Sequence, residues 1–325
     1  MKIYYDKDIN LGILKDKKIA VIGYGNQGSA QAKNMRDSGL EVIIGQRRGK
    51  TKELAIKEGF EVYSIENAVK KADIISIQLP DEVQADIYKR KIQKNLKEGK
   101  VLNFSHGFNI RFNLIIPPKN VDVTLVAPKG VGVMLRETFL NNSGVPALIA
   151  VAQDYSGNAK KIALALAKAI GSGRIGIIET TFADETDADL FTEQVDLCGG
   201  VTELIKTTFD ILVKRGYSPE VAYFEALTEL KLIVDLIHKG GLAYMWSKVS
   251  NTAEYGGRVN GPRVIDRHVR KNMEKILEEI QTGKFAKKWI REYSRGMPNL
   301  KEMRKKDSML RIEKIGRKIR KLKCS

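Results

Sequence analysis

Four carboxylates in the second half of the chain are spaced to hold a cation. In DETDADLFTEQVDLCGG, Asp189 and Glu193 stand four residues apart, and in SPEVAYFEALTELKLIVDLIHKGG so do Glu225 and Glu229. On a helix that spacing puts both members of a pair on one face, about one turn apart. Both segments otherwise carry apolar residues (Leu190, Phe191, Val195; Tyr223, Phe224, Leu227, Leu230), which places the acids near buried surface. Taken alone, acids four apart are usually a solvated face. If they converge they need a counter-charge, and an all-oxygen donor set suits Mg²⁺, whereas zinc would ask for His or Cys ligands.

Two other reactive side chains fall where a ligand would meet them. His106 in NFSHGF and Lys129 in VAPKG each follow a strand-like run, so both are expected just beyond strand carboxyl ends, where doubly wound folds bind ligands. The remaining histidines, His238 and His268, lie in helical segments beside Lys and Arg and are read as surface residues.

The first fifty residues say what chemistry these groups could serve. The strand KIAVIG runs into Gly23, Tyr24, Gly25, Asn26, Gln27 and Gly28 and then into the helix SAQAKNMRDSG, which is G-x-G-x-x-G in its strand–loop–helix setting. Gly23 allows the tight turn, Gly25 lets a pyrophosphate approach the backbone, and Gly28 lets helix and strand pack closely, with the phosphates at the helix N-terminus. At the end of the second strand an NAD site carries Asp or Glu for the ribose 2′-hydroxyl. Here that place reads Gly45-Gln46-Arg47-Arg48-Gly49-Lys50-Thr51-Lys52. Arg and Lys are the donors a 2′-phosphate wants, so the loop selects NADPH over NADH.

These groups need a scaffold, and the chain supplies it in two textures. KIAVIGYG, EVIIGQ, ADIISIQLP, KVLNFSHG, DVTLVAPKG and VPALIAVAQ read as buried strands separated by helices. Continuous Val/Ile/Leu runs of this kind predict a parallel, doubly wound α/β sheet covered on both faces. After GRIGIIETTF the strand-like runs stop and successive helices follow, punctuated by Gly, Pro and Asn, with Ser218 and Pro219 opening one of them. The expected division is a Rossmann domain over 1–180 and an all-helical domain over 181–325.

Composition removes other classes. With 325 residues and 43% hydrophobic content the chain can bury large cores, which excludes a disordered or fibrous protein. No run approaches the roughly 18 to 20 apolar residues of a membrane span, and MKIYYDKDINLG has no signal-peptide core, so a cytoplasmic location is expected. Cys198 and Cys324 are far apart and outside any metal-binding spacing, which suits reduced thiols. The net charge of +17 raises the question of a polyanion partner. Residues 301–325 hold eleven Lys or Arg against Glu302, Asp307 and Glu313, a balance of +8. Their apolar residues Leu310, Ile312, Ile315, Ile319 and Leu322 recur at helical spacing, so the tail is read as an amphipathic helix packed on the body rather than a nucleic-acid arm.

In order along residues 18 to 258, GYGNQG, LPDEVQ, NFSHGFNI, APKG, DLFTEQ, YFEALTELKLIVDL and SNTAEYG together resemble the ketol-acid reductoisomerase family in its short form, class I. The ending IEKIGRKIR is similar to the family's last helix. The resemblance implies conversion of 2-acetolactate to 2,3-dihydroxy-3-methylbutanoate, or of the ethyl homologue, in branched-chain amino-acid biosynthesis. An alkyl migration assisted by two Mg²⁺ ions would precede hydride reduction by NADPH. It implies Asp189, Glu193, Glu225 and Glu229 as metal ligands, with Glu229 able to act through a proton, Ser250 as a substrate contact, and His106 and Lys129 as active residues. Tyr24 to Gln27, Arg47, Lys50, Lys52, Asp81, Glu82, Val83, Gln84 and Gly132 carry over to NADPH. It also implies a knotted helical domain and a homo-oligomer acting on a small 2-hydroxy-3-keto acid.

The chain departs from the family pattern after Lys129, where PGH is usual and Val131-Gly132-Val133 stands, at Thr228 in place of a common histidine, and at Lys50 and Lys52 in place of hydroxyl residues. A β-hydroxyacid or 6-phosphogluconate-type dehydrogenase would share the NADP fold and the helical domain without needing a metal.

Overall fold

A computed structural model describes residues 2–322; Cys324 and the side chain of Leu322 lie outside the described residues. The chain divides into two compact units, one ending at Ala188 and the other beginning at Asp189. The change in sequence texture puts the boundary at 180/181, whereas the compact units part inside a helix.

The first unit is built on strands β1 (Ile3–Tyr4), β2 (Lys18–Ile22), β3 (Glu41–Gly45), β4 (Val62–Tyr63), β5 (Ile74–Ile77), β6 (Val101–Phe104), β7 (Asp122–Pro128), β8 (Ala147–Gln153) and β9 (Ile177–Glu179). Its helices are α1 (Asn26–Asp37), α2 (Lys50–Lys57), α3 (Ile65–Lys71), α4 (Asp81–Ile87), α5 (Phe108–Arg111), α6 (Gly132–Leu140), α7 (Ala159–Ala169) and the start of α8 (Phe182–Thr192). The strands form one sheet in the order β1-β9-β8-β7-β6-β5-β2-β3-β4. Successive side chains of a strand point to opposite faces. Ile19, Val21, Ile44, Ile74 and Val126 accordingly pack with Ala32 and Met35 of α1 and Ile162 and Leu166 of α7. Ala20, Ile22, Ile43, Ile75 and Leu125 pack on the other side with Ala68 and Val69 of α3 and with Tyr88 and Ile92. Both faces are covered, so the sheet is doubly wound.

All six expected strands form, but the sheet is not wholly parallel. β7 and β8 run antiparallel, with Pro128 opposite Ala147, and so do β1 and β9. The physical reason lies in the connection. α6 is only nine residues long, and the Lys129 N–H donates to Pro146 O at 2.8 Å, so the chain re-enters the sheet at the end it has just left. Short β1 and β4, two residues each, add edges that no sequence run announced.

The second unit is all-helical among its described residues: α9 (Gly199–Lys214), α10 (Pro219–Tyr223), α11 (Glu229–Trp246), α12 (Asn251–Val264), α13 (Arg267–Gln281), α14 (Lys284–Ser294), α15 (Pro298–Ser308) and α16 (Arg311–Leu322). Ser218 caps α10, its hydroxyl accepting from the Val221 N–H at 3.2 Å, with Pro219 in the first turn. Gly241, at φ 80°, kinks α11. The core joins Phe209 of α9, Ala222 and Tyr223 of α10 and Ala226 to Ile312, Ile315 and Ile319 of α16. Within the basic tail, α16 is thus an amphipathic helix docked on the helical unit, with Arg311, Lys314, Arg317, Lys318 and Lys321 on its exposed side, whereas residues 301–308 belong to α15 and are exposed throughout.

Candidate active site

β2 delivers the chain into Gly23 at φ 101°, whose N–H donates to Gly45 O at 3.0 Å; a Cβ there would lie 2.7 Å from Gln78 O. A Cβ on Gly28 would lie 2.3 Å from Gly23 O, so α1 can only pack this closely on the strand with glycine. Gly25 is different: a Cβ there would meet nothing within 4 Å, leaving a space at the N-terminus of α1 beside the first-turn N–H groups. The turn after β7 closes the same space. Gln27 Nε2 donates to Gly130 O at 2.7 Å, and a Cβ on Gly132 would lie 2.2 Å from Asn26 O. Tyr24 is 2% exposed, its hydroxyl donates to Glu58 and its ring meets Phe60 edge-on, so only its backbone faces this space. Burial and the Glu58 hydrogen bond push its phenol well above the ordinary value of 10.

At the adenosine end of such a site, Arg47, Arg48 and Lys50 are exposed and Lys52 is half-buried. Gly49, at φ 136°, caps α2, which Lys50 opens, and the Gln46 amide donates to the Thr51 hydroxyl. Cations and a helix N-terminus therefore share one loop, an arrangement that attracts phosphate.

β5 leads through Leu79 and Pro80 into α4. Glu82 and Val83 are half-buried in its first turn, while Gln84 is buried and donates to Leu79 O at 2.7 Å, so its side chain braces the turn. Asp81 Oδ2 lies 2.8 Å from His106 Nδ1, and Asn109 Nδ2 donates to Asp81 O at 2.9 Å.

The same edge of the sheet receives α8. Arg111 grips Asp187 through two bonds, Nε to Oδ1 at 3.1 Å and Nη2 to Oδ2 at 2.9 Å. Lys129 Nζ pairs with Glu185 Oε1 at 2.9 Å. A Cβ on Gly107, next to His106, would lie 2.2 Å from Thr186 Oγ1. Glu185 is not among the candidate residues above, although Glu185, Asp189 and Glu193 continue one series of acids four apart. Glu185 Oε2 is buried with no hydrogen-bond partner among the described residues.

In the second unit both acid pairs fall at π turns, Glu193–Leu197 and Phe224–Thr228. Such turns are rare and frequent at functional sites. Asp189 is half-buried, but Glu193, Glu225 and Glu229 are exposed in the single chain, which corrects the expectation that all four lie near buried surface. The buried side of this segment is the other one, where Ala222, Tyr223 and Ala226 meet α16, while Phe224, Leu232 and Val234 are exposed together with the acids. Among the described residues no three of His, Cys, Asp and Glu stand together as a metal-holding group. Ser250 caps α12, its hydroxyl accepting from the Ala253 N–H at 3.2 Å. His238 and His268 are exposed, as expected, and Thr228 is half-buried.

A doubly wound sheet with a glycine loop at one strand end, cations at the next, and an imidazole and an amine on the same carboxyl edge define a nicotinamide-dependent oxidoreductase. Comparison with known proteins narrows this class. Residues 13–176 match the model of the acetohydroxy acid isomeroreductase NADPH-binding domain, and residues 182–324 that of the ketol-acid reductoisomerase C-terminal domain. Ketol-acid reductoisomerases (NADP(+)) of Methanocaldococcus jannaschii and Pyrococcus abyssi are each 55% identical over 323 residues, covering 99% of this chain and 98% and 97% of theirs. A solved NADH-preferring ketol-acid reductoisomerase from an uncultured archaeon superposes with a TM-score of 0.97 at 48% identity, covering 99% of both chains. The chain belongs to the ketol-acid reductoisomerase family, oxidoreductases of branched-chain amino-acid biosynthesis, and its NADPH-binding domain and curated relatives make it an NADP(+) enzyme.

Proposed function

We propose that this protein converts 2-acetolactate to 2,3-dihydroxy-3-methylbutanoate, and 2-aceto-2-hydroxybutanoate to 2,3-dihydroxy-3-methylpentanoate, with NADPH and two Mg²⁺ ions. The observation that carries the reading is the course of α8. Its first turns are tied to the sheet's carboxyl edge by Glu185–Lys129 and Asp187–Arg111, and the same helix presents Asp189 one turn after Glu185. The helix that begins the acidic series is thus anchored on the hydride-transfer fold through Glu185 and Asp187, which supports reading the acids and the nucleotide fold as serving one enzyme.

The residues suit both groups. The open space at Gly25 is a cradle that a Cβ would fill, next to helix N–H groups. For the metal, the donor set is all carboxylate, and the buried Glu185 Oε2 that accepts from no described residue shares a helix face with Asp189. Asp189, Glu193, Glu225 and Glu229 would hold Mg²⁺, with Glu229 also able to act through a proton. When bound, the metal supplies Lewis-acid polarisation of the substrate oxygens for the alkyl shift, and NADPH supplies the hydride.

The chain's own residues do the rest. Backbone N–H groups from Tyr24 to Gln27 bind the pyrophosphate, and the close approach of Gly132 to Asn26 keeps that loop in place. Arg47, Lys50 and Lys52 bind the 2′-phosphate, while the first turn of α4, Asp81 to Gln84, borders the cofactor. Lys129 sets a positive charge beside the substrate oxygens, Ser250 donates its hydroxyl to substrate, and His106 moves a proton.

We place the enzyme in the cytoplasm as a homo-oligomer. No described helix is long and apolar enough to cross a membrane. Phe224, Leu232 and Val234, exposed apolar residues of the segment that carries Glu225 and Glu229, support an apolar surface that a second copy would cover. Nucleic acid is not a partner in this reading, because the tail's last helix, α16, spends its apolar side on the helical core rather than forming a free basic arm.

The test is NADPH oxidation with 2-acetolactate, with and without Mg²⁺, after EDTA, and again with NADH. Turnover should require the metal and fall with NADH. Metal-independent turnover would instead point to a dehydrogenase of the β-hydroxyacid type.

A further inference from the structure

Asp81 and His106 come from different elements, the first residue of α4 and the turn after β6, and their side chains meet at 2.8 Å between Oδ2 and Nδ1. The carboxylate is held from its other side. Its Oδ1 accepts from Gln84 Nε2 at 3.2 Å, and its backbone carbonyl accepts from Asn109 Nδ2 at 2.9 Å. Gln84 and Asn109 are bonded to each other at 3.2 Å, and both are buried, so neither amide can swing away without losing several hydrogen bonds. The His106 ring is stacked on Phe108, with centroids 6.3 Å apart and planes 27° apart.

We infer that Asp81 is a positioning residue for His106: its carboxylate accepts the Nδ1 proton and thereby fixes the tautomer and orientation of the imidazole that works on the substrate. The inference rests on the reading of His106 as an active residue. A carboxylate on Nδ1 leaves the lone pair on Nε2, the form a proton acceptor needs, and stabilises the imidazolium that results. The first turn of α4 thus has two duties. Its backbone borders the cofactor, and its first side chain aims the histidine.

The experiment uses the full chain with ¹⁵N-labelled histidine, loaded with NADPH and Mg²⁺. Three histidines give a simple nitrogen spectrum, and His106→Gln assigns the signals. In the native protein the proton should sit on Nδ1 of His106. In Asp81→Asn that tautomer should mix with or yield to the Nε2–H form, and kcat with 2-acetolactate should fall about tenfold or more, with KM and the NADPH Kd holding within about threefold. Asp81→Glu, which keeps the charge, should restore the tautomer and part of kcat, and it substitutes if the Asn variant does not fold. An unchanged tautomer in Asp81→Asn overturns the inference. So does a loss carried entirely by NADPH Kd with kcat intact, which would make Asp81 a cofactor contact only. Full turnover by His106→Gln defeats the reading of His106 itself, whereas an inactive His106→Gln beside a fully active Asp81→Asn with altered tautomer defeats only the role of Asp81.

Discussion

Lys129 and Glu185 form an unequal ion pair: their charged atoms are 2.9 Å apart, yet Glu185 is 1% exposed and Lys129 keeps a third of its side-chain surface. The cost of breaking the pair therefore depends on which partner is lost. Lys129→Met strands a buried carboxylate and should destabilise the protein by about 3 kcal/mol, whereas Glu185→Gln leaves only a partly solvated amine and should cost about 1 kcal/mol. Urea unfolding of the two variants checks the order, and equal losses would contradict it.

The glycines around the cofactor space separate folding from binding. Gly25→Ala adds a methyl that meets no protein atom, so the melting temperature should hold while NADPH binding weakens. Gly132→Ala drives a methyl against Asn26 O and should lower stability by about 1–3 kcal/mol as well as weaken NADPH binding. Differential scanning calorimetry with fluorescence titration of NADPH distinguishes the two behaviours.

The cationic loop should discriminate cofactors by charge. Replacing Arg47, Lys50 and Lys52 together by alanine should raise the KM for NADPH by about a hundredfold, on the order of 1 kcal/mol per cation lost, with little effect on NADH. Added salt should weaken native NADPH binding and leave the triple variant almost indifferent. A parallel loss for both nicotinamides would remove the loop from 2′-phosphate recognition.

Docking of the tail has a thermodynamic signature. Ile315 and Ile319 are buried against α10, so either residue changed to alanine should cost about 2–4 kcal/mol of helical-unit stability. Lys318→Ala, on the exposed side of the same helix, should stay within about 0.5 kcal/mol. If the basic face rather than the apolar one mattered, chemical denaturation would rank these variants the other way.

Acid sensitivity should pass through Glu58. Burial alone would raise its pKa, but the hydrogen bonds from Tyr24 and Lys33, with the charges of Lys33 and Arg36, outweigh burial and hold it below the ordinary 4.5. A depressed carboxylate contributes stability that is complete above its unfolded pKa and lost as pH falls through its folded one. Tyr24→Phe removes one of those bonds and should cost about 1 kcal/mol at pH 7. That difference should shrink as the pH drops below 4.5, which thermal melts across the acid range would reveal.

Some of this architecture is local and therefore written in short stretches of sequence. The Gly23-x-Gly25-x-x-Gly28 turn, the cations from Arg47 to Lys52 and the capped start of α10 depend on residues a few positions apart, so their types and spacing were sufficient. The six main strands and the buried face of α16 were legible for a related reason: apolar periodicity records which side of an element meets a core. The acid pairs were visible as pairs, but their π turns were not, because residues four apart stay on about one face in either kind of helix.

What only the tertiary structure decided are contacts between distant segments. Nothing near Glu185 announces Lys129, 56 residues earlier, and nothing near Asp81 announces His106, 25 residues later. The place of Tyr24 in the glycine loop marks its backbone, but that its side chain is core, buried against Phe60 and Glu58, depends on segments far along the chain. The direction of β8 was likewise set by a helix too short to recross the sheet. The sequence by itself determined which chemical groups stand at each element's end; long-range packing determined which of them meet, because a side chain's partner depends on where the whole chain returns and not on its neighbours in sequence.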